Sequence, residues 1–436
     1  MKRIAASVGL VAIGTSALQA QDAGAISAMQ GAKPWNASVS LRGFYDDNIN
    51  SERHDKNDSF GFEINPTIGL ALVGERTSGS VSYTYSGKWY DERPEGNSSN
   101  WDHTHIFSAS VQHAFSSRTR LVVGDQFVIG QEPDVLRVND VVVGPQRISG
   151  ENIRNFGSII LTHQFTDLFG IEAGYANSYY NYEDSSPDRA VGANGTIITE
   201  ASRSGLLDRI EHYAHIDTRW HFAPQTVGIV GYMYGTTLYT ADETIQGNPD
   251  SIPPIPYSKS DSRNNRSHFG YVGVEHSFSP DLSGSMRVGA QYVDFYNANE
   301  SSVTPYFQGT LRYFYTADSR VEVGASYQRN ATDFVGNTSV VTDADTAVVY
   351  ASVRHRIMPR LFGSAVGTFQ WQRFNGGGAG ADGESDRYFL LGLDAEYRFS
   401  PHWSGHVGYN LDVLDSDIET RNFTRNRVYI GVTADY

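Results

Sequence analysis

RVYIGVTADY, residues 427–436, alternates between two kinds of position along its whole length. The even-numbered positions hold the apolar or aromatic residues Val428, Ile430, Val432, Ala434 and Tyr436. Successive side chains of a β-strand point to opposite faces of its sheet. The alternation therefore predicts a strand with one apolar face and one more polar face.

The same alternation recurs along most of the chain. A first strand is predicted from about Asn36 to Asn48, and a hairpin over 62–89 repeats the pattern. Short turns then follow strand ends at Phe115, Phe165, Phe222, Phe278, Tyr315, Ile357 and Phe399. Connections at the opposite ends are longer and more polar, at 91–100, 132–150, 183–205, 242–265, 331–344 and 375–384. This pattern predicts about eighteen antiparallel strands, with a count of sixteen left open.

The composition fits such a sheet. The chain has 26 Tyr, 22 Phe, 43 Gly and no Cys, with a net charge of -15 and a mean hydropathy of -0.39. Only alternate residues of a membrane barrel are apolar, so a negative mean hydropathy does not argue against one. Beyond the N-terminal region no run of eighteen apolar residues occurs, which excludes helical membrane spans.

The N-terminal residues read as a targeting segment. Lys2 and Arg3 precede an apolar run from Ile4 to Leu18, and Ala20 offers a cleavage position. This pattern predicts a secretory signal peptide over residues 1–20, followed by a short periplasmic segment over 21–35. A short amphipathic or membrane helix is the alternative.

We therefore predict an all-β fold: a single antiparallel transmembrane β-barrel over residues 36–436, with short periplasmic turns and long extracellular loops. The strand at 427–436 must pair with the first strand, near Val39 and Leu41, because only a closed barrel has no free sheet edge.

Charged residues of the opposite parity must then face the interior, because an Arg or Lys facing lipid near the midplane costs about 2 to 4 kcal/mol. The predicted interior positions are Arg42, Glu63, Lys88, Arg120, Glu172, Asp217, Arg219, Glu275, Arg287, Arg312, Glu322, Arg354, Arg356, Asp394, Glu396, Arg398, His406, Asp412 and Arg427. Bases and acids are about equal in this set, so it predicts no clear preference for cations or anions.

The loop at 132–150 contains Val141, Val142 and Val143 in a row. Three consecutive valines in an exposed loop should find cover, so we expect this loop to fold inward and narrow the interior. Its candidate constriction residues are Arg137, Asp140, Val142 and Arg147. Packing over the rim, or against a neighbouring subunit, is the alternative.

Several stretches go beyond generic alternation: Phe44-Tyr45-Asp46-Asp47-Asn48, the strand from Trp101 to Phe115 with the Ser116-Ser117-Arg118 turn, and the Phe-Ser-Pro turns at 278–280 and 399–401. Together they resemble the second of the putative β-barrel porin families of Gram-negative bacteria. The last strand also resembles the closing strand of outer-membrane barrels, which would make Gly431 and Tyr436 part of a signal for the barrel assembly machinery. This resemblance implies a bacterial outer-membrane location, contact with lipid and lipopolysaccharide, and no catalytic residues.

The leading functional expectation is passive diffusion of small hydrophilic solutes, because a barrel of this size is too wide for side chains to fill. Alternatives are a secretion barrel for an exopolysaccharide, a structural barrel with a plugged interior, and a soluble secreted β-protein. The secretion barrel would need inward aromatic residues for oligosaccharides, for which the candidates are Tyr232, Tyr234, Tyr271, Tyr306, Phe314, Tyr350 and Tyr388. The oligomeric state stays open.

Enzyme signatures are missing from the sequence. It contains no Gly-x-Ser-x-Gly elbow, no His-Glu-x-x-His motif and no phosphate-binding loop, and we predict no cofactor, no metal and no nucleic-acid partner. His212 and His215 should lie on opposite faces of one strand, whereas His103 and His105 share a face.

Overall fold

A computed structural model describes residues 34–93, 99–131, 135–138, 141–145, 151–183, 189–191, 197–199, 201–248, 254–336 and 339–436. The predicted signal peptide and nearly all of the segment 21–35 lie outside these residues. Within the described residues, one antiparallel sheet of eighteen strands closes on itself, which confirms the predicted fold and strand count.

We number the barrel strands in chain order. They are β1 Trp35–Asp46, β2 Ser59–Val73, β3 Thr77–Tyr90, β4 Trp101–Ala114, β5 Thr119–Gly130, β6 Asn152–Gln164, β7 Phe169–Tyr182, β8 Arg209–Ala223, β9 Thr226–Tyr239, β10 Asn265–Ser277, β11 Leu282–Phe295, β12 Glu300–Thr316, β13 Ser319–Asn330, β14 Val341–Met358, β15 Leu361–Gly376, β16 Ser385–Ser400, β17 Trp403–Ser416 and β18 Phe423–Asp435.

Each strand pairs with its neighbours in sequence, and β18 returns to pair with β1. In that last pair Val39 lies opposite Ala434 and Leu41 lies opposite Val432, as predicted. The connections that follow even-numbered strands, such as 224–225 between β8 and β9, are short. We call the end of the barrel where they lie the turn end. The other side, the loop end, carries longer connections such as 131–151 and 183–208.

The outward face of the sheet is apolar. Val428, Ile430 and Val432 of β18 are exposed, and Ile430 keeps 70% of its surface accessible. Exposed aromatic residues encircle the turn end, where they stand beside the short turns: Phe115, Phe165, Phe222, Phe278, Phe399, Trp403 and Tyr436. Such a band of rings is typical of a membrane interface, with the turns in water.

Histidines also lie on the outward face, where they pair with hydroxyl groups. The ring of His103 is 2.8 Å from the Tyr85 hydroxyl and that of His105 is 2.9 Å from the Tyr83 hydroxyl. His212 pairs in the same way with Tyr175, at 2.7 Å. These hydrogen bonds satisfy imidazole groups on a surface that is otherwise apolar.

Short elements occur in the loops. The hairpin strands are Val135–Val138 with Val141–Pro145, Arg189–Val191 with Ile197–Thr199, and Thr244–Asn248 with Ile255–Lys259. One helical turn, α1, spans Arg203–Leu207, and 3₁₀ turns span Ser260–Arg263 and Glu419–Arg421. None of the described helices is long and apolar enough to cross a membrane.

The loops at the loop end hold one another. Arg263 is fully buried and donates to the Thr332 carbonyl at 3.1 Å and to the Leu206 carbonyl at 2.6 Å. Gln246 likewise donates to two carbonyls of the 331–340 loop, those of Gly336 and Ser339. Because these donors and acceptors come from three different connections, the loops form one packed cap over part of the rim.

Asp208 anchors one edge of this cap. Its carboxylate accepts a hydrogen bond of 2.7 Å from the Tyr182 amide and one of 3.2 Å from the Asn181 side chain. Burial raises the pKa of Asp208 to about 6, and the nearby Glu243 carboxylate adds to the rise, whereas the Tyr182 amide and Arg209 oppose it. The carboxyl group therefore titrates near neutral pH.

The β1–β18 seam depends on a missing side chain. A Cβ atom at Gly431 would lie 2.7 Å from Cγ of Arg42 and 2.7 Å from the Leu41 carbonyl oxygen. We expect Gly431→Ala to strain this pairing and to destabilise the barrel by about 1–3 kcal/mol. The measurement is heat-modifiable migration of detergent-folded protein, with the fraction folded followed against temperature.

Gly43→Ala is the matched control, since Gly43 lies on the other strand of the same seam and an added Cβ meets nothing within 4 Å. Equal melting of the two variants would contradict the steric account of Gly431.

The raised pKa of Asp208 predicts a pH dependence of the cap. A carboxyl group whose folded-state pKa is raised binds its proton more tightly in the closed cap than in an opened one. The closed cap therefore gains stability as pH falls from about 6 towards 3.8, the ordinary carboxyl pKa, and loses that gain as pH rises back through about 6. Hydrogen exchange at the Tyr182 amide, corrected for its intrinsic rate, should be slower at acid pH than at neutral pH.

In Asp208→Asn this pH dependence should disappear. The control variant Asp242→Asn, which alters an exposed acid paired with Lys259, should keep it. Retention of the pH dependence in Asp208→Asn would overturn the assignment to Asp208.

Candidate functional site in the barrel interior

The predicted interior charges all lie on one face of the sheet. Arg42 follows the exposed Leu41, and Arg287 lies between the exposed Met286 and Val288. The same alternation places every other charged residue of the predicted set on the inward face. The closed sheet thus encloses both positive and negative side chains.

A buried network of ion pairs lies on the inner wall from β7 to β11. Arg219 donates to both carboxylate oxygens of Glu275, at 3.2 and 2.5 Å, and lies 3.6 Å from Glu172. Arg287 lies 3.4 Å from Asp217 and 3.8 Å from Glu275. Glu172 and Asp217 have no exposed surface. These charged side chains neutralise one another, and the bidentate Arg219–Glu275 pair is the strongest contact among them.

Tyrosine and histidine complete this network. The Tyr271 hydroxyl donates to Asp217 at 2.5 Å, and His215 lies 3.7 Å from Glu172. Ligand atoms of Glu172, His215 and Asp217 lie within 4.8 Å of one another, which is the spacing of a metal site. Arg219 and Arg287 contact the same carboxylates and would repel a cation, so we interpret the group as an ion-pair network.

A second network closes the seam at the loop end. Asp46 is fully buried and accepts hydrogen bonds from Arg425, at 2.6 Å for the shortest, and from Arg427, at 2.9 Å. Further along the seam Asp394 accepts a hydrogen bond of 3.0 Å from the Tyr429 hydroxyl and lies 3.6 Å from His406. The seam of the barrel is therefore joined by charge as well as by backbone hydrogen bonds.

The side of the wall near β2 to β5 is less charged. Glu63 lies opposite Lys88, and it accepts hydrogen bonds from Asn65 and Ser86. Arg120 donates to the Gln112 side chain at 2.7 Å.

Five arginines with accessible side chains stand together near the turn end, on β12 to β16. We call them the arginine cluster: Arg312, Arg320, Arg354, Arg356 and Arg398. The accessible side-chain surface is 43% for Arg354, 41% for Arg356 and 49% for Arg398. Arg320 is not in the predicted interior set, although it shares the parity of Glu322 on β13.

The predicted constriction loop is described in part. Arg137 and Val142 lie in the hairpin of Val135–Val138 and Val141–Pro145, whereas Asp140 and Arg147 lie outside the described residues. The backbone of Val141–Pro145 comes within 8 Å, between Cα atoms, of both β14 and β15. The loop leaves the wall at β5, nine strands away from β14 in a ring of eighteen, so the hairpin reaches the opposite wall.

The predicted inward aromatic residues divide into two groups. Tyr232 and Tyr234 share the parity of the exposed Val230, and the Tyr232 hydroxyl lies 2.7 Å from the outward His268, so both face outward. The inward expectation for these two tyrosines was wrong, because the parity of β9 was misassigned.

The other five aromatic residues do face inward. Tyr271, Tyr306 and Tyr388 are nevertheless buried in the wall. Tyr271 lies over Gly231 and Tyr350 lies over Gly324, where an added Cβ would come within 2.4 Å of the ring. Tyr271, Tyr306 and Tyr388 therefore offer little accessible ring surface for stacking a sugar, whereas Phe314 keeps 43% of its surface accessible.

The family model for putative beta-barrel porin 2 matches residues 35–436, which is nearly all of the chain. Among proteins of curated function none matches this chain.

Solved structures also match most of the chain, at low sequence identity. OccAB4 of Acinetobacter baumannii is 13% identical with a TM-score of 0.41, over 94% of this chain and 100% of that one. OpdK of Pseudomonas aeruginosa is 9% identical with a TM-score of 0.44, over 92% and 99%. The siderophore receptor PirA of A. baumannii is 10% identical with a TM-score of 0.41, over 93% and 81%.

The closed eighteen-stranded barrel, its charged inner face and the match along residues 35–436 lead to one conclusion: the chain belongs to the putative beta-barrel porin 2 family of outer-membrane β-barrels.

Proposed function

We propose that this porin lets small hydrophilic solutes diffuse passively across the outer membrane, through an interior that the 131–151 loop narrows. The size of the barrel carries the proposal. Eight strands give an interior that side chains can fill, and sixteen to eighteen leave an aqueous channel. The eighteen strands here enclose a wall of charged and polar side chains, which favours water and polar solutes.

The wall is suited to passage because its larger side chains lie along it. Charged residues from β7 to β11 pair with their neighbours on the sheet, and inward tyrosines rest on glycines. Both arrangements keep side chains out of the centre. Diffusion through such an interior requires no chemical step and no cofactor.

The hairpin at 135–145 supports a constriction. Val141–Pro145 comes within 8 Å, between Cα atoms, of β14 and β15 on the opposite side of the barrel, as an inward-folded loop would. We propose that Arg137, Asp140, Val142 and Arg147 belong to this narrowest region and that their mixed charges act on passing solutes.

We extend the proposal to the export of the chain, the assembly of the barrel in the membrane and the location of its two ends. Residues 1–20 would direct export through the inner membrane, and the turn end would face the periplasm. Gly431 and Tyr436 would belong to the strand that the assembly machinery recognises, and the loop end would meet lipopolysaccharide. Trp35 and Tyr436, whose ring centroids are 5.3 Å apart, support an anchoring role at the turn-end interface.

Reconstitution into planar bilayers tests the porin function. We expect discrete, long-lived conductance steps, because ions can cross a water-filled interior. Heat-denatured protein at the same concentration is the control and should give no steps. Folded, inserted barrels that stay silent would instead support a plugged structural barrel, and blockade by neutral oligosaccharides would support the secretion alternative.

Removal of Val138–Pro145 tests the constriction. We expect a higher single-channel conductance, because the backbone that reaches the opposite wall is lost. The control removes Glu92–Ser99, a segment of the same length in the loop between β3 and β4. Unchanged conductance in the first variant, with normal folding, would contradict an inward constriction.

A further inference from the structure

Interior charge is distributed unevenly between two regions. From β7 to β11 the acids and bases are buried and paired with each other. In the arginine cluster, by contrast, the side chains of Arg354, Arg356 and Arg398 keep 43%, 41% and 49% of their surface accessible. Of these two regions of the described wall, the turn end is therefore the one where a solute would meet accessible positive charge.

The cluster has more bases than acids. Arg312 pairs with Glu322 at 2.8 Å, Arg354 and Arg398 share Glu396 at 3.1 and 2.7 Å, and Arg356 pairs with Asp318 at 2.6 Å. Five arginines thus meet three carboxylates, which leaves two positive charges unbalanced. The carboxylates lie beside the guanidinium groups and leave much of their surface accessible.

Arg320 is the exceptional member. Within the described part of the chain its side chain has no hydrogen bond or ion pair, and it is exposed. In the pairing of β13 with β14 it lies directly opposite Arg354. Two like charges directly opposite each other on one face of a sheet are destabilising, and an anion between them would remove the repulsion.

One aromatic ring holds three of the arginines in place. The guanidinium carbon atoms of Arg398, Arg354 and Arg356 lie 4.3, 5.4 and 5.9 Å from the centre of the Phe362 ring. Cation–π attraction to this buried ring offsets part of the repulsion among the three side chains. The positive charges are therefore positioned before any solute arrives.

An apolar surface borders the unpaired arginine. Phe314 lies opposite Arg320 in the pairing of β12 with β13, on the same inward face, and 43% of its surface is accessible. A guanidinium fork binds a carboxylate through two parallel hydrogen bonds, and a neighbouring ring can contact a short hydrocarbon chain. A small carboxylate with an apolar portion fits both features.

We propose that the arginine cluster is a binding station for small carboxylate solutes at the turn end of the interior, with Arg320 and Arg354 as the carboxylate ligands and Phe314 as the apolar contact. The inference rests on the proposed diffusion function. It predicts an anion preference that the overall charge of -15 does not suggest.

The first experiment measures the reversal potential of single channels in a KCl gradient. The wild-type channel should prefer chloride over potassium, because accessible positive charge borders the path. Arg320→Gln with Arg354→Gln should abolish this preference, and Arg320→Glu with Arg354→Glu should reverse it. The matched control, Arg76→Gln with Arg118→Gln, removes the same charge from exposed turns at the same end and should leave the preference unchanged.

The second experiment uses butyrate and inorganic phosphate as probes. Butyrate should lower the KCl conductance of the wild-type channel in a saturable way, and more strongly than phosphate. Both the arginine double variant and Phe314→Ser should weaken this block. Phosphate block without butyrate block would overturn the assignment of a carboxylate ligand.

The outcomes separate the two proposals. Absence of conductance steps would overturn both the diffusion function and the binding station. Normal steps with no anion preference, or with a preference that survives the double Gln variant, would overturn the station alone. Heat-modifiable migration of each variant confirms that a lost preference does not reflect misfolding.

Discussion

Closure of the sheet between β1 and β18 is the constraint on which the rest of the structure depends. A strand edge inside a membrane would leave backbone amides and carbonyls without partners, at a cost of several kcal/mol each. The two strands that meet come from opposite ends of the chain, and their register runs from Ser38–Asp435 to Asp46–Arg427. Asp46 reinforces the join because it accepts hydrogen bonds from Arg425 and Arg427 of β18. Gly431 permits it because the space that a side chain would occupy is taken by Arg42 and the β1 backbone.

Closure with eighteen strands also determines which partners the charged side chains of the inner wall can reach. Side chains cannot reach across an interior of that width, so a charged residue can pair only with neighbours along the wall. The pairs Arg219–Glu275 and Arg287–Asp217 do this between β8 and β11. Their burial leaves little free charge in that region. The arginine cluster differs because it has fewer carboxylates than arginines. The interior is therefore more positive at the turn end than the net charge of the whole chain indicates.

The loops add a second level of organisation. Val141–Pro145 comes within 8 Å, between Cα atoms, of β14 and β15, whereas Leu206, Gln246, Arg263 and Thr332 join described parts of three other connections. Arg263 and Gln246 bond to backbone carbonyls of other loops, so the cap depends on the loop backbone being held in place. The proposed narrowing by one loop, together with a cap formed by the others, would select solutes by size and charge.

Much of this architecture could be read from local pattern. Strict alternation, aromatic residues before short turns, and longer loops on the other side predicted a closed barrel of eighteen strands, because strand geometry and lipid contact act on each strand separately. The same parity placed Arg42, Asp217 and Arg398 on the inward face. A parity error at β9 turned Tyr232 and Tyr234 to the wrong side, which shows how a shift of one residue reverses a whole strand.

Pairing and accessibility needed the folded barrel. Arg320 faces Arg354 only through the register of β13 with β14, and Asp217 meets Arg287 across intervening strands. The sequence does not show that Phe362 lies beneath three guanidinium groups, or that a hairpin from β5 reaches β14. Alternation is a property of neighbouring residues and survives in the linear chain. Charge balance at a point on the wall depends on strands distant in sequence, so it appears only when the sheet has closed.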